Sequence, residues 1–95
     1  MSRDAANVYT DQHDIELLEA RAGQLPDEAR VEVVLVDGSR VTGTVVARPS
    51  IQTFFDEDGR EGLNGVVRID DRDEPGHAHY LWLDRILEVV TLGTA

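Results

Sequence analysis

His77 and His79 stand two residues apart, and on an extended strand side chains at that spacing share a face. Asp70, Asp71, Asp73 and Glu74 lie just before them, so imidazole and carboxylate groups suited to a divalent cation are close in sequence. Spacing places no further ligand, and Pro75-Gly76 beside the pair marks a turn. The plainer reading is solvated loop histidines, so neither a metal nor a cofactor is expected. Asp56-Glu57-Asp58-Gly59-Arg60-Glu61 has the acidity of a calcium loop without the spacing or closing Glu of an EF-hand. An acidic hairpin turn accounts for it. Ser2, Ser39 and Ser50 lie in a tail and two turns, with no nucleophile elbow around them. No P-loop or dinucleotide glycine fingerprint is present. A non-enzymatic protein is therefore expected.

Charge narrows the partners. Nineteen acids oppose nine bases for a net charge of −10, and every base is Arg. That field opposes non-specific approach to phosphate backbones and anionic membranes, and nucleic-acid affinity rests on Lys and Arg displacing counterions. With no Cys in the chain, disulfides and thiolate metal sites are excluded. No apolar run approaches the roughly 20 residues of a membrane span. The polar, acidic N-terminal stretch is unlike a secretory signal. A cytoplasmic protein of one domain is expected, 41% apolar and so globular.

The elements that would position these residues are mostly strands. Residues 1–9 lack periodicity and read as a flexible arm, with a single domain over 10–95. A helix begins near Thr10 or Asp11, either able to cap it. Ile15, Leu18, Ala22 and Leu25 form its apolar stripe, and Gly23 and Pro26 end it. Two β-branched runs, 30–36 and 40–47, flank Asp37-Gly38, a strong signal for a tight hairpin. Gly43 stands between Val41 and Val45, where missing bulk permits a bend or close backbone approach. Arg48-Pro49-Ser50 interrupts the ladder, which resumes over 51–55. A third strand spans 62–69, with Leu63, Val67 and Ile69 on one face and Asn64, Val66 and Arg68 on the other. A charged loop, 70–77, precedes a fourth strand over 79–83 and a fifth over 86–92.

This order and these residues resemble the Sm-like fold of the Sm and Hfq proteins. Val33-Val34-Leu35-Val36-Asp37-Gly38, then Val41-Thr42-Gly43-Thr44-Val45, is similar to the first Sm motif. Phe55-Asp56 and Leu63-Asn64 resemble its closing pairs, here parted by a long insertion over 49–62. The second motif's basic-Gly pair is absent, and Asp84-Arg85 stands in its place. Asn7-Val8-Tyr9-Thr10, Gln24-Leu25-Pro26, Arg48-Pro49-Ser50, Glu61-Gly62-Leu63-Asn64 and Leu81-Trp82-Leu83-Asp84 resemble a small family of bacterial Sm-like proteins of unknown function. The resemblance implies an α+β, mainly β fold: an N-terminal helix followed by a bent five-stranded antiparallel barrel.

It also implies that Asn64 would read a flipped-out base in a ring pore, with Arg48, Arg60 or Arg68 as the local basic groups. The residue-level alternative is an Asn bonding nearby backbone, which Gly62 and Gly65 favour. The acidic charge and the missing basic-Gly pair weigh against RNA. The expected role is self-assembly or protein contact. A small barrel leaves edge strands whose backbone groups another subunit can satisfy, so Tyr80, Trp82, Leu83, Val90 and Leu92 are the expected interface of a homo-oligomer. An RNA-binding ring, or an acidic inhibitor of a nucleic-acid-binding protein, is the alternative.

Overall fold

The computed structural model of the chain describes residues 4–94. Helix α1, Gln12–Gly23, starts where expected, its Asp11 carboxylate accepting the His13 N–H at 3.1 Å. Leu18 and Ala22 of α1, followed by Leu25, turn into the core. Strand β1, Ala29–Leu35, and strand β2, Arg40–Val45, form the hairpin about Asp37-Gly38. Gly38 takes a φ of 88°, and the Asp37 carboxylate ties down the Ser39 N–H and hydroxyl.

Strand β3, Gln52–Phe55, pairs with β4, Glu61–Asn64, as a separate two-stranded ribbon. Its turn is organised by Asp56, whose carboxylate accepts the Asp58 and Arg60 N–H groups. Strands β5, Val66–Asp71, β6, Ala78–Trp82, and β7, Ile86–Thr94, complete a five-stranded antiparallel sheet in the order β6-β5-β2-β1-β7. Val31 and Val33 of β1, Val41 and Val45 of β2, and Val67 and Ile69 of β5 form its buried face against α1.

The expected barrel is not closed. Strands β6 and β7 are the two outer strands and do not pair with each other. Yet only the 3-10 turn Leu83–Arg85 joins them. A flat sheet would set its outer strands about 19 Å apart at ~4.8 Å per step, while such a turn advances about 6 Å. The sheet must therefore curl until its edges approach at that end. Leu83, 1% exposed, sits in the core at the point of closest approach.

Two further expectations are corrected. The stretch 62–69 is not one strand: the chain leaves the ribbon and enters the main sheet at Gly65. There the Leu83 side chain and the Ser50 carbonyl leave no room for a Cβ. The alternation therefore resets, and Asn64 is buried although unbroken alternation would set it opposite the core-facing Val67. The arm is also not loose over its described part. Ala5 donates to the Phe55 carbonyl at 2.9 Å, and Tyr9 and Leu63 exchange backbone bonds at 2.8 and 2.9 Å.

The close approach anticipated at Gly43 is present. Gly43 and Thr44 lie between β1 and β5, and a Cβ at 43 would overlap the Asp70 carbonyl. Gly43→Ala should force β2 and β5 apart and cost about 1–3 kcal/mol or more, as overpacking does. A lowered urea midpoint would register it; an unchanged midpoint would mean that the two strands can separate freely.

Candidate functional site

The residues of the expected RNA site stand on different elements. Asn64 is 1% exposed. Its side-chain N–H donates to the Asn7 carbonyl at 3.0 Å, and its side-chain oxygen accepts the Gly65 N–H at 2.8 Å. It ties the arm to the crossover between the two sheets, as a backbone-bonding Asn would. Arg48 follows β2, Arg60 stands at the ribbon turn, and Arg68 lies on β5, so the three arginines sit on separate elements. Arg68 is itself engaged, pairing with Asp70 at 3.2 Å and lying 5.9 Å from the Tyr80 ring centroid.

The histidine pair is better ordered than a solvated loop. Its rings lie 4.4 Å apart, His79 Nε2 is 2.9 Å from an Asp71 carboxylate oxygen, and His77 lies 3.4 Å from Glu74. Asp71 also accepts the Asp73 and Glu74 N–H groups. The His79 bond, and then those N–H groups, hold the Asp71 carboxyl below its ordinary range. Among the described residues no group of three or more His, Asp or Glu side chains is arranged to hold a metal ion. The cluster instead fastens the β5–β6 turn.

Sequence reasoning missed Tyr9. Its hydroxyl donates to the Asp84 carboxylate at 2.9 Å, bridging arm and 3-10 turn. Burial, and then the Asp84 bond and charge, push that hydroxyl up to about 12. The two form part of the wall of a groove of about 400 Å³ between α1 and the start of β7, floored by Leu18, Leu83 and Ile86. No local pattern around Tyr9 announces a partner 75 residues away.

The expected interface divides. Leu83 is removed from it, because its side chain fills the core. Trp82 is half-buried, with the Phe54 ring edge-on at 5.0 Å. Tyr80 on β6, and Val90 and Leu92 on β7, are exposed. Among the described residues no strand pairs with the outer side of β6 or β7.

The two outer sides differ. In an antiparallel ladder, alternate residues turn their N–H and C=O groups to the same neighbour. Asp71 N–H bonds the His77 carbonyl and Leu83 N–H the Gly65 carbonyl, in register with Arg68 opposite Tyr80. Odd-numbered residues of β6 therefore face β5, and the backbone groups of Ala78 and Tyr80 and the N–H of Trp82 face outward, the Trp82 carbonyl capping the 3-10 turn. On β7 the outward carbonyl of Leu87 is already taken by the Arg21 guanidinium at 3.1 Å. The β1–β7 register also skips Leu87 and Leu92, a bulge at each end of the strand.

A family profile described as "Domain of unknown function (DUF3247)" matches residues 2–92. The chain is also similar to a crystal structure of XC5848 from Xanthomonas campestris, described as adopting a novel variant of the Sm-like motif. The two share 44% identity over 95% of this chain and 97% of that one, with a TM-score of 0.87. No curated protein matches this chain.

Two outcomes follow from these contacts. Asn64→Ala would strand the Asn7 carbonyl and the Gly65 N–H, costing about 1–3 kcal/mol; a melting temperature equal to the parent's would show that the tie is dispensable. A depressed carboxyl stabilises the fold above its unfolded value and loses that contribution as pH falls through the folded one. The stability gap between the parent and Asp71→Asn should thus be full at neutral pH and shrink below pH 3.8. Urea midpoints measured across the acid range would reveal a pH-independent gap if the turn does not depend on that charge.

Proposed function

The chain belongs to the DUF3247 family, and from that premise we propose that it is a non-enzymatic Sm-like domain that works by pairing the edge of its sheet with another chain. The observation carrying this reading is the open sheet. Its outer strands β6 and β7 have no strand beyond them among the described residues, and Tyr80, Val90 and Leu92 are exposed along them. Unpaired edge groups are a template for another strand, and pairing satisfies them without any new fold.

The contacts of the described serines weigh against a serine nucleophile. The Ser39 hydroxyl is bonded to Asp37 at 2.6 Å, and the Ser50 hydroxyl accepts from Gln52. An RNA ring would need Asn64 to meet a base, and both ends of its amide are already bonded to backbone. The net charge of −10 opposes a phosphate backbone as well. The same charge suits a basic protein partner, which supports protein contact over nucleic acid.

Light scattering on the full chain at low and high salt tests the reading. Two acidic copies repel over about a Debye length, so assemblies of two or more chains are expected, with their share rising as salt is added. A strict monomer at both salts and at high concentration would overturn self-assembly.

A further inference from the structure

Free sheet edges are hazardous, and proteins blunt them with charges, bulges or covering side chains. Strand β7 carries every one of these defences. It bulges at Leu87 and Leu92, Arg21 occupies its Leu87 carbonyl, and Glu88 stands in the regular stretch between the bulges. Strand β6 carries none of them. Its register with β5 is unbroken from Ala78 to Trp82. Its sequence, AHYLW, contains no Asp, Glu, Lys or Arg, in a chain where 29% of residues are charged. At its centre Tyr80 is 65% exposed.

We propose that β6 is the pairing edge and that its occupant is β6 of a second copy of this chain, antiparallel about a twofold axis at Tyr80. This rests on the edge-pairing reading above and specifies its geometry. The strand is complementary to itself in that register. Tyr80 faces Tyr80 of the second copy, and Ala78 faces Trp82, so the smallest side chain of the strand lies opposite the largest. His79 faces Leu81 on the other side of the sheet.

The hydrogen-bond phase agrees. Ala78 and Tyr80 turn both their N–H and C=O groups outward and Trp82 its N–H, the Trp82 carbonyl being the N-cap acceptor of the 3-10 turn. Tyr80 therefore meets Tyr80 through two bonds, and Trp82 meets Ala78 through one. No carboxylate or guanidinium on either strand faces a like charge. Arg68, 5.9 Å from the Tyr80 ring centroid, flanks the axis in each copy. A twofold pair closes on itself, consuming β6 in both copies and leaving the defended β7 as the outer strand of the main sheet in each. Head-to-tail pairing of β6 with β7 would instead require a strand to add along the bulged, Arg21-covered edge.

The chain has no Cys, so one introduced cysteine reports the geometry directly. Facing residues of a hydrogen-bonded antiparallel pair have Cα atoms about 5.5 Å apart, within the roughly 4.4–6.8 Å that a disulfide spans. Oxidised Tyr80→Cys should run as a covalent dimer in non-reducing electrophoresis, while Val90→Cys, on β7, should stay monomeric. Independently, Tyr80→Glu sets two carboxylates face to face and should weaken dimerisation on the order of 100-fold or more. Its circular dichroism should remain that of a folded chain, and Val90→Glu should dimerise like the parent.

A parent that assembles while Tyr80→Cys fails to cross-link, or while Val90→Glu dissociates it, overturns the β6 twofold and leaves edge pairing standing. So does a ring of more than two copies. A parent that is monomeric throughout overturns the twofold and self-assembly with it, and leaves only a different protein as the partner of the edge.

Discussion

The 3-10 turn Leu83–Arg85 joins the two opposite outer strands of a five-stranded sheet, and most of the architecture answers to that short link. Strands that would lie far apart in a flat sheet must be brought within reach of three residues. The turn is stitched to both sides: the Leu83 N–H bonds the Gly65 carbonyl beside β5, and the Arg85 carbonyl accepts the Val36 N–H beyond β1. Leu83 fills the space so enclosed. The bulge at Leu87, one residue into β7, lies where the strand must bend away from β6.

Curling leaves an open end that the remaining elements cover. Helix α1 lies over the buried face, and the arm bridges to both strands of the ribbon, Asp4 to Phe55 of β3 and Tyr9 to Leu63 of β4. A polar residue serves as the fastener there. Buried Asn64 is tolerable because both of its amide functions are bonded, and no side-chain polar atom among the described residues is left buried without a partner. Tyr9 and Asp84 close the same region from the other side. An Asn that the Sm resemblance associates with RNA thus holds backbone in place in this chain.

The charge distribution fits assembly better than nucleic-acid binding. Acidic side chains populate α1, the ribbon turn and the β5–β6 loop, while β6 is free of them. Repulsion between copies is then a long-range, screenable effect, whereas the strand that would meet a partner is neutral. Specificity of this kind arises as much from defending one edge as from leaving the other available.

Much of this was legible in the residues. The Asp37-Gly38 hairpin, the capped amphipathic helix, the close approach at Gly43 and the positions of the two outer strands follow from local turn chemistry and periodicity. These signals act over a few residues, so the chain carries them wherever it folds. Three features did not follow: the break at Gly65, the docking of residues 4–9, and the burial of Asn64 and Leu83. Each depends on a neighbour distant in sequence, as Gly65 does on Leu83 and Tyr9 on Asp84. Alternation along 62–69 assumed an unbroken strand, and a single crossover residue reversed which face was buried. The sequence by itself determined the β1–β2 hairpin, the two outer strands, the turns and the acidic surface, because those are local. Only the tertiary structure decided that the sheet stays open, that Asn64 binds backbone, and that β7 is guarded while β6 is not. Those outcomes depend on which surfaces the curl brings together.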